Sequence, residues 1–265
     1  LYEWQSSTDG INFTPIAVTN AETYDSPALT ADTWFRRAVS STIGANTCTE
    51  ETNMVKVTVV NFTPGSIGSD QTICSGTAPA VFTSVAASGD GTKSYVWESS
   101  TDGIAFTTIA GANSATYASI PLSADTWFRR LSTADVGGFT CTEITDTVLV
   151  TVINFVPGSI TADQTICEGD TPAAFASVPS TGDGIITYQW QGSLDGGSYT
   201  SITGATGENY ASPSLSVDTW YRRQATSVLN GTQCVLTTAP IAITVNNIDP
   251  GSIGGTQTIC EGATP

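Results

Sequence analysis

The sequence repeats itself every 93 residues without an insertion or a deletion. Trp4, Trp97 and Trp190 keep that spacing, as do Cys48, Cys141 and Cys234, and Cys74, Cys167 and Cys260. The run Pro-Gly-Ser-Ile returns at Pro64, Pro157 and Pro250. A repeat of this length is one small domain, so each copy can bury its own core. Residues 1–63 read as the C-terminal part of a repeat, 64–156 and 157–249 as complete repeats, and 250–265 as the start of a further one. The ends fall inside repeats, so the chain reads as an excerpt of a longer array. Catalysis needs one site. Strict repetition supplies length, stiffness or multivalency instead.

Along residues 64–156 the pattern predicts about seven short strands. They run from Ser66 to Ile73, Val81 to Ala87, Ser94 to Glu98, Ala105 to Ile109, Ala115 to Ser119, from Thr126 onward, and from Thr147 to Ile153. Val148, Val150 and Val152 alternate with Thr147, Leu149 and Thr151, the period-two signature of a half-buried strand. Asp102-Gly103 marks a hairpin, because both residues tolerate the positive φ of a tight turn. Seven strands with turn signals every 8–12 residues and no helical period predict an all-β fold of tandem Ig-like β-sandwich repeats. The core anchors are expected to be Trp4, Trp97 and Trp190 on the third strand, with Trp34, Trp127 and Trp220 on the sixth. The very short Pro-Gly linkers predict stiff joints and a rod.

Composition narrows the function. The net charge is −16, which argues against nucleic acid and anionic lipid surfaces, since those partners need basic patches. No apolar run is long enough to insert in a membrane as a helix. There is no histidine, so Cys/His zinc sites and histidine-based triads are excluded. Six cysteines at two recurring positions read as disulfides and imply an oxidising, extracellular compartment.

Four runs together carry a more specific likeness: Gln71 to Gly76, Tyr95 to Gly103, Asp125 to Arg130 and Cys141 to Val152, with their counterparts in the other copies. This pattern resembles the tandem Ig-like repeats of giant Bacteroidetes surface proteins exported by type IX secretion, among them gliding-motility-type adhesins. The resemblance spans the whole chain. It implies an extracellular, cell-surface repeat array.

The candidate chemistry is sparse. All six arginines lie in three pairs, Arg36-Arg37, Arg129-Arg130 and Arg222-Arg223. Neighbours on a strand face opposite sides, so one of each pair points outward and the other toward the core rim. The inner member is expected to stack on a tryptophan or to pair with Asp125 or a neighbouring carboxylate, with an acidic polysaccharide as the alternative partner of the pairs. Asp32, Asp125 and Asp218 are expected in Asx-turns. Asp70 and Asp163 recur near the junctions, where structural calcium is a secondary possibility, although no Asp-x-Asp-x-Asp loop exists. No other cofactor is expected. Glu98 becomes Gln5 and Gln191 in the other copies, so no acid pair recurs for sugar cleavage.

Three disulfide registers fit the period. Pairing within a repeat joins Cys74 to Cys141 and Cys167 to Cys234, and is favoured because small secreted domains with two cysteines usually close on themselves. A long-range staple joins Cys74 to Cys234. It suits the Ig strand order, which puts the two cysteines of one repeat at opposite poles. Neighbour pairing gives Cys48–Cys74, Cys141–Cys167 and Cys234–Cys260. The function expected is a non-enzymatic stalk or filament whose partners are adjacent repeats and other copies in a bundle. The alternative is a repeat that binds glycan multivalently through Tyr24, Tyr117 and Tyr210.

Overall fold

The computed structural model describes residues 1–17 and 20–264, so Pro265 of the 250–265 segment lies outside the described residues. Every element among the described residues is a β-strand. Two compact units are present. One takes in Leu1–Gln71, Ala80–Ser119 and Asp125–Val150; the other takes in Thr72–Pro79, Ile120–Ala124 and the chain from Thr151 on.

In the second unit one sheet carries the strands in the order Gln164–Cys167, Ile241–Asn246, Thr219–Leu229, Ile185–Ser193 and Thr200–Ser201. Thr232–Thr237 also pairs with Thr219–Leu229 as a hairpin partner. The edge strand Gln164–Cys167 runs parallel to Ile241–Asn246, in the register Gln164 to Ile243. Small two-stranded pieces, Ser159–Thr161 with Ala176–Val178 and Phe155–Val156 with Thr181–Gly182, form the opposing layer. Between the layers lie Ile160, Phe175, Trp190, Tyr221, Ile241 and Ile243. Trp190 is 0 % exposed, with the Phe175 ring at 5.8 Å and the Tyr210 ring at 5.6 Å. Its indole Nε1 donates to the Gly207 carbonyl at 3.0 Å, so the one polar atom of the ring is satisfied.

The first unit repeats this core around Trp97, which is also fully buried, against Phe82, Tyr117 and Phe128. Trp97 Nε1 donates to the Ser114 carbonyl at 2.9 Å. Residues 1–63 hold the same strand pairs, Tyr2–Ser7 with Thr33–Ile43 and Thr33–Ile43 with Asn46–Glu51 and Val55–Val57.

Some expected strands are shorter or absent. Val81 to Ala87 reduces to Ser84–Val85, and Ala105 to Ile109 to Thr107–Thr108. Ser66 to Ile73 splits into Ser66–Ile67 and Gln71–Cys74. Residues 115–119 form no strand. Their backbone is used differently: the Ala115 carbonyl accepts from the Ser84 and Arg130 side chains, and the Tyr117 carbonyl from the Phe82 amide at 3.3 Å. A strand not expected, Phe139–Ile144, pairs with Thr126–Val136.

The second tryptophan set is not a core set. On Thr126–Val136 the buried positions are Thr126, Phe128, Arg130, Ser132 and Ala134, so Trp127 faces the other side and is half-buried. Phe35, Phe128 and Tyr221 take the core place expected of Trp34, Trp127 and Trp220. These three indoles instead cover the Asp-Gly turns. A Cβ built on Gly103, which has φ +71°, would lie 3.2 Å from Trp127, and Gly10 and Gly196 meet Trp34 and Trp220 in the same way.

That turn is tied by the buried Ser100, whose hydroxyl donates to Asp102 Oδ1 at 2.7 Å and accepts from the amides of Asp102 and Gly103. Asp102 Oδ1 also accepts from the amides of Ile104 and Ala105. The Ser100 hydroxyl, and then these amides, lower the carboxyl pKa from 3.8 to about 2. The charged form is therefore the one the fold favours. The contribution is complete above the ordinary carboxylate value and is lost as pH falls toward 2. The melting-temperature difference between the native chain and Asp102→Asn is expected to be constant near neutrality and to shrink between about pH 4 and pH 2. A pH-independent difference over that range contradicts it.

Candidate functional site

Arg129-Arg130 and Arg222-Arg223 divide as strand alternation requires, but their inner members go deeper than a rim. Arg130 is 0 % exposed. Its Nη1 donates to Ser84 Oγ and the Ala115 carbonyl, and its Nη2 to the carbonyls of Pro64 at 2.8 Å and Val85 at 2.9 Å. The guanidinium lies 4.7 Å from the Tyr95 ring centre. Arg223 repeats this with Ser177 Oγ, Glu208 O, Pro157 O and Val178 O, over Tyr188. Carbonyls therefore hold these two charges in place of the carboxylate that was one of the two expected partners; the other, a tryptophan face, lies 5.9 Å from Arg130 at Trp97. Burial pushes the Arg130 pKa down from its ordinary value. The planar fork suits this role, since it can reach carbonyls on different segments at once.

The outer arginines are occupied too. Arg129 pairs with Glu98 at 2.7 Å and stacks on Phe106; Arg36 pairs with Glu51 at 2.7 Å and stacks on Phe13. Arg222 meets Gln191 at 2.7 Å, because the counterpart of Glu98 is a glutamine there, and lies over Tyr199. Arg37, the inner member of its pair, is only half-buried; it donates to the Glu22 carbonyl and lies over Tyr2.

Asp32 and Asp218, two of the three aspartates expected in Asx-turns, serve the backbone across strands. Asp218 Oδ1 accepts from the Val245 amide at 2.7 Å, and Asp32 Oδ1 from the Val59 amide at 2.9 Å. Asp163 accepts from the Ala242 amide and Asp70 from the Leu149 amide, both at 2.8 Å. Among the described residues no three acidic or cysteine side chains converge as a metal ion needs. Tyr24, Tyr117 and Tyr210 are half-buried within the aromatic clusters of their own repeats. A shallow hollow beside Tyr210, lined also by Leu194, Asp195, Thr200 and Tyr221, opens in the last complete repeat.

The cysteines carry the main correction. Cys74 is bonded to Cys234, with Cα atoms 5.6 Å apart, and Cys48, Cys141, Cys167 and Cys260 are free. Neither the within-repeat pairs nor the neighbour pairs form. The sheet register explains why Cys167 does not meet Cys234. Gln164 and Thr219 both align with Ile243. Cys167 lies three residues from that level in one direction, while Cys234, opposite Ser227, lies eight residues away in the other. At ~3.3 Å per residue the two are roughly 35 Å apart along the sheet, far beyond disulfide reach. Asn230 and Gly231 make the hairpin tip with φ 50° and 80°, the mirror-image turn such hairpins favour. That tip sits on residues 72–74, which belong to its own compact unit. Asn230 Nδ2 donates to Thr72 Oγ1 at 3.2 Å, and Thr232 Oγ1 to the Thr72 carbonyl at 3.1 Å.

Sequence reasoning missed Thr72, Asn230 and Thr232, and also Phe82 and Phe175 as core centres. The signal for the phenylalanines was present, since both keep the 93-residue spacing. Thr72 recurs too, as Thr165 and Thr258, but Asn230 and Thr232 do not, since they become Gly137 and Phe139 one repeat earlier. Reduction is expected to lower stability by about 2–4 kcal/mol, the usual worth of a native disulfide. Cys74→Ser should reproduce the loss and Cys167→Ser should not, as read by melting with and without reductant.

Tandem sandwiches with one wide sheet, a broken second layer and a buried aromatic centre define the class: an all-β array of Ig-like repeats. The chain belongs to the family described as Domain of unknown function (DUF8696), whose model matches residues 1–61, 63–154 and 156–247. Among solved structures it is similar to the three N-terminal domains of the Highly Immunogenic Outer Capsid protein (Hoc) of bacteriophage RB49. Identity there is 11 %, with 92 % of this chain and 88 % of that one covered and a TM-score of 0.44. It is also similar to extracellular domains 3–5 of Drosophila OTK, at 14 % identity, 92 % and 85 % coverage and a TM-score of 0.35. No curated protein matches the chain.

Proposed function

We propose that this chain is a non-catalytic, tension-bearing spacer of an extracellular surface protein, the stalk or filament of an adhesin-type assembly. The observation that supports it best is covalent. Cys74, in residues 64–156, is bonded to Cys234, in residues 157–249, so two successive repeats are joined by a side-chain bond as well as by the backbone. A disulfide also fits an extracellular setting. The recurring arginines, aspartates and tryptophans are engaged in holding the fold, which suits a spacer better than a ligand site. Glycan binding in the hollow beside Tyr210 is the competing reading.

Pulling single molecules from their two ends tests the mechanical role. The bond closes a loop of 160 residues, which cannot extend while it is intact. Adding reductant is expected to lengthen the fully unfolded molecule by about 55 nm, at ~3.3–3.6 Å per residue. An extension unaffected by reductant removes the bond from the load path. Specific retention of the chain on a glycan array, lost in Tyr210→Ala, replaces the spacer reading with the binding one.

A further inference from the structure

We propose that Cys167 and the hollow beside it form a docking site for the cysteine hairpin of a following repeat, closed by a disulfide. This goes beyond the spacer role and does not depend on it. The argument starts from a site that is filled. Gln71-Thr72-Ile73-Cys74 receives the hairpin tip through Asn230, Thr232 and Cys234. The same four residue types recur as Gln164-Thr165-Ile166-Cys167. Here Thr165 and Cys167 are exposed, whereas Thr72 and Cys74 are half-buried. An open hollow lined by Thr165, Ile166, Cys167, Asp170, Thr171 and Asn246 lies where the filled site has its hairpin.

The matching half is repeated as well. Cys48 and Cys141 sit on hairpins at the place of Cys234, opposite Ser41 and Ala134 as Cys234 is opposite Ser227. Those hairpins are exposed along nearly their whole length, and Phe139, at the place of Thr232, is 79 % exposed. Cys234 itself is only 4 % exposed. The occupied register explains which thiols are free. Cys74 and Cys234 are the only two cysteines in the sequence separated by 160 residues. Cys167 needs a hairpin cysteine 160 positions further on, which is the place the next repeat of the same period gives it.

Closure oxidises two thiols. The Cys167 and hairpin sulfurs form one S–S bond, releasing two protons and two electrons. A small-molecule disulfide such as oxidised glutathione accepts them and becomes two thiols.

The test keeps the whole chain and adds a second copy of residues 173–249 after residue 265, which completes the 250–265 segment to a repeat. The protein is folded in a glutathione redox buffer, free thiols are alkylated, and peptides are mapped by mass without reduction. The expected map holds Cys74–Cys234 and a second bond from Cys167 to the hairpin cysteine of the added copy. Thr165→Arg, placed under the incoming hairpin tip, is expected to lower the yield of the second bond at least about fivefold and to leave the first unchanged. Recovery of Cys167 alkylated, or bonded to Cys141 or Cys260, overturns the proposal. It leaves the spacer reading standing on Cys74–Cys234 alone.

Discussion

Arg223→Ala is expected to destabilise the protein by about 4–6 kcal/mol, while Arg222→Ala, one residue away, costs less than about 1 kcal/mol. Arg223 is fully buried and gives four hydrogen bonds, three of them to backbone carbonyls of Pro157, Val178 and Glu208. Removing it leaves those part-buried acceptors without their donor, at up to roughly 1–3 kcal/mol each before water or rearrangement recovers part of the loss. Arg223→Lys should recover only part, because one ammonium cannot reach the same set of acceptors as a planar fork. Arg222 is partly exposed and meets Gln191 and the face of Tyr199, so its loss is a surface loss. Urea unfolding of the three variants checks the order. Equal costs for Arg222→Ala and Arg223→Ala would sink the assignment.

Trp190→Ala is the second large effect, about 3–5 kcal/mol, the range for deleting a buried large aromatic. The ring is the centre of a cluster with Phe175 and Tyr210, and its nitrogen is bonded to Gly207. Trp220→Ala should cost clearly less, because that indole lies half-buried over the Gly196 turn instead of between the sheets. The same contrast is expected for Trp97 and Trp127. Unfolding midpoints that fall equally for Trp190→Ala and Trp220→Ala would contradict the division into core and turn-covering rings.

The contrast between those tryptophans shows what the sequence makes legible. Trp97 stands on a strand whose alternation puts Tyr95 and Trp97 on one face, so its burial follows from period two. Trp127-Phe128 places two aromatics side by side, and only one can face the core. Which one does is decided by Arg130, whose hydrogen bonds lie inside, and a charged residue is not the expected guide to an inner face. The split of each arginine pair was readable from alternation. Its depth was not, because the acceptors of Arg130 come from Pro64, Val85 and Ala115, up to 66 residues away. The disulfide was the least readable feature. It joins cysteines 160 residues apart, and nothing local to Cys74 or Cys234 encodes that distance. The period limits it to a few registers, and the sheet register then removes the within-repeat one.

The bond between Cys74 and Cys234 also changes what a protease can do to this protein. It encloses exposed turns of two repeats, including Ile104, 85 % exposed, and Leu194, 71 % exposed. A single cut at either place opens the backbone but leaves both fragments on one molecule, because the side-chain bond bypasses the cut. Severing the chain between its ends then takes a cleavage outside residues 74–234, or reduction as well as cleavage. For a protein exposed to proteases, nicking at these exposed turns becomes a local injury in place of a release.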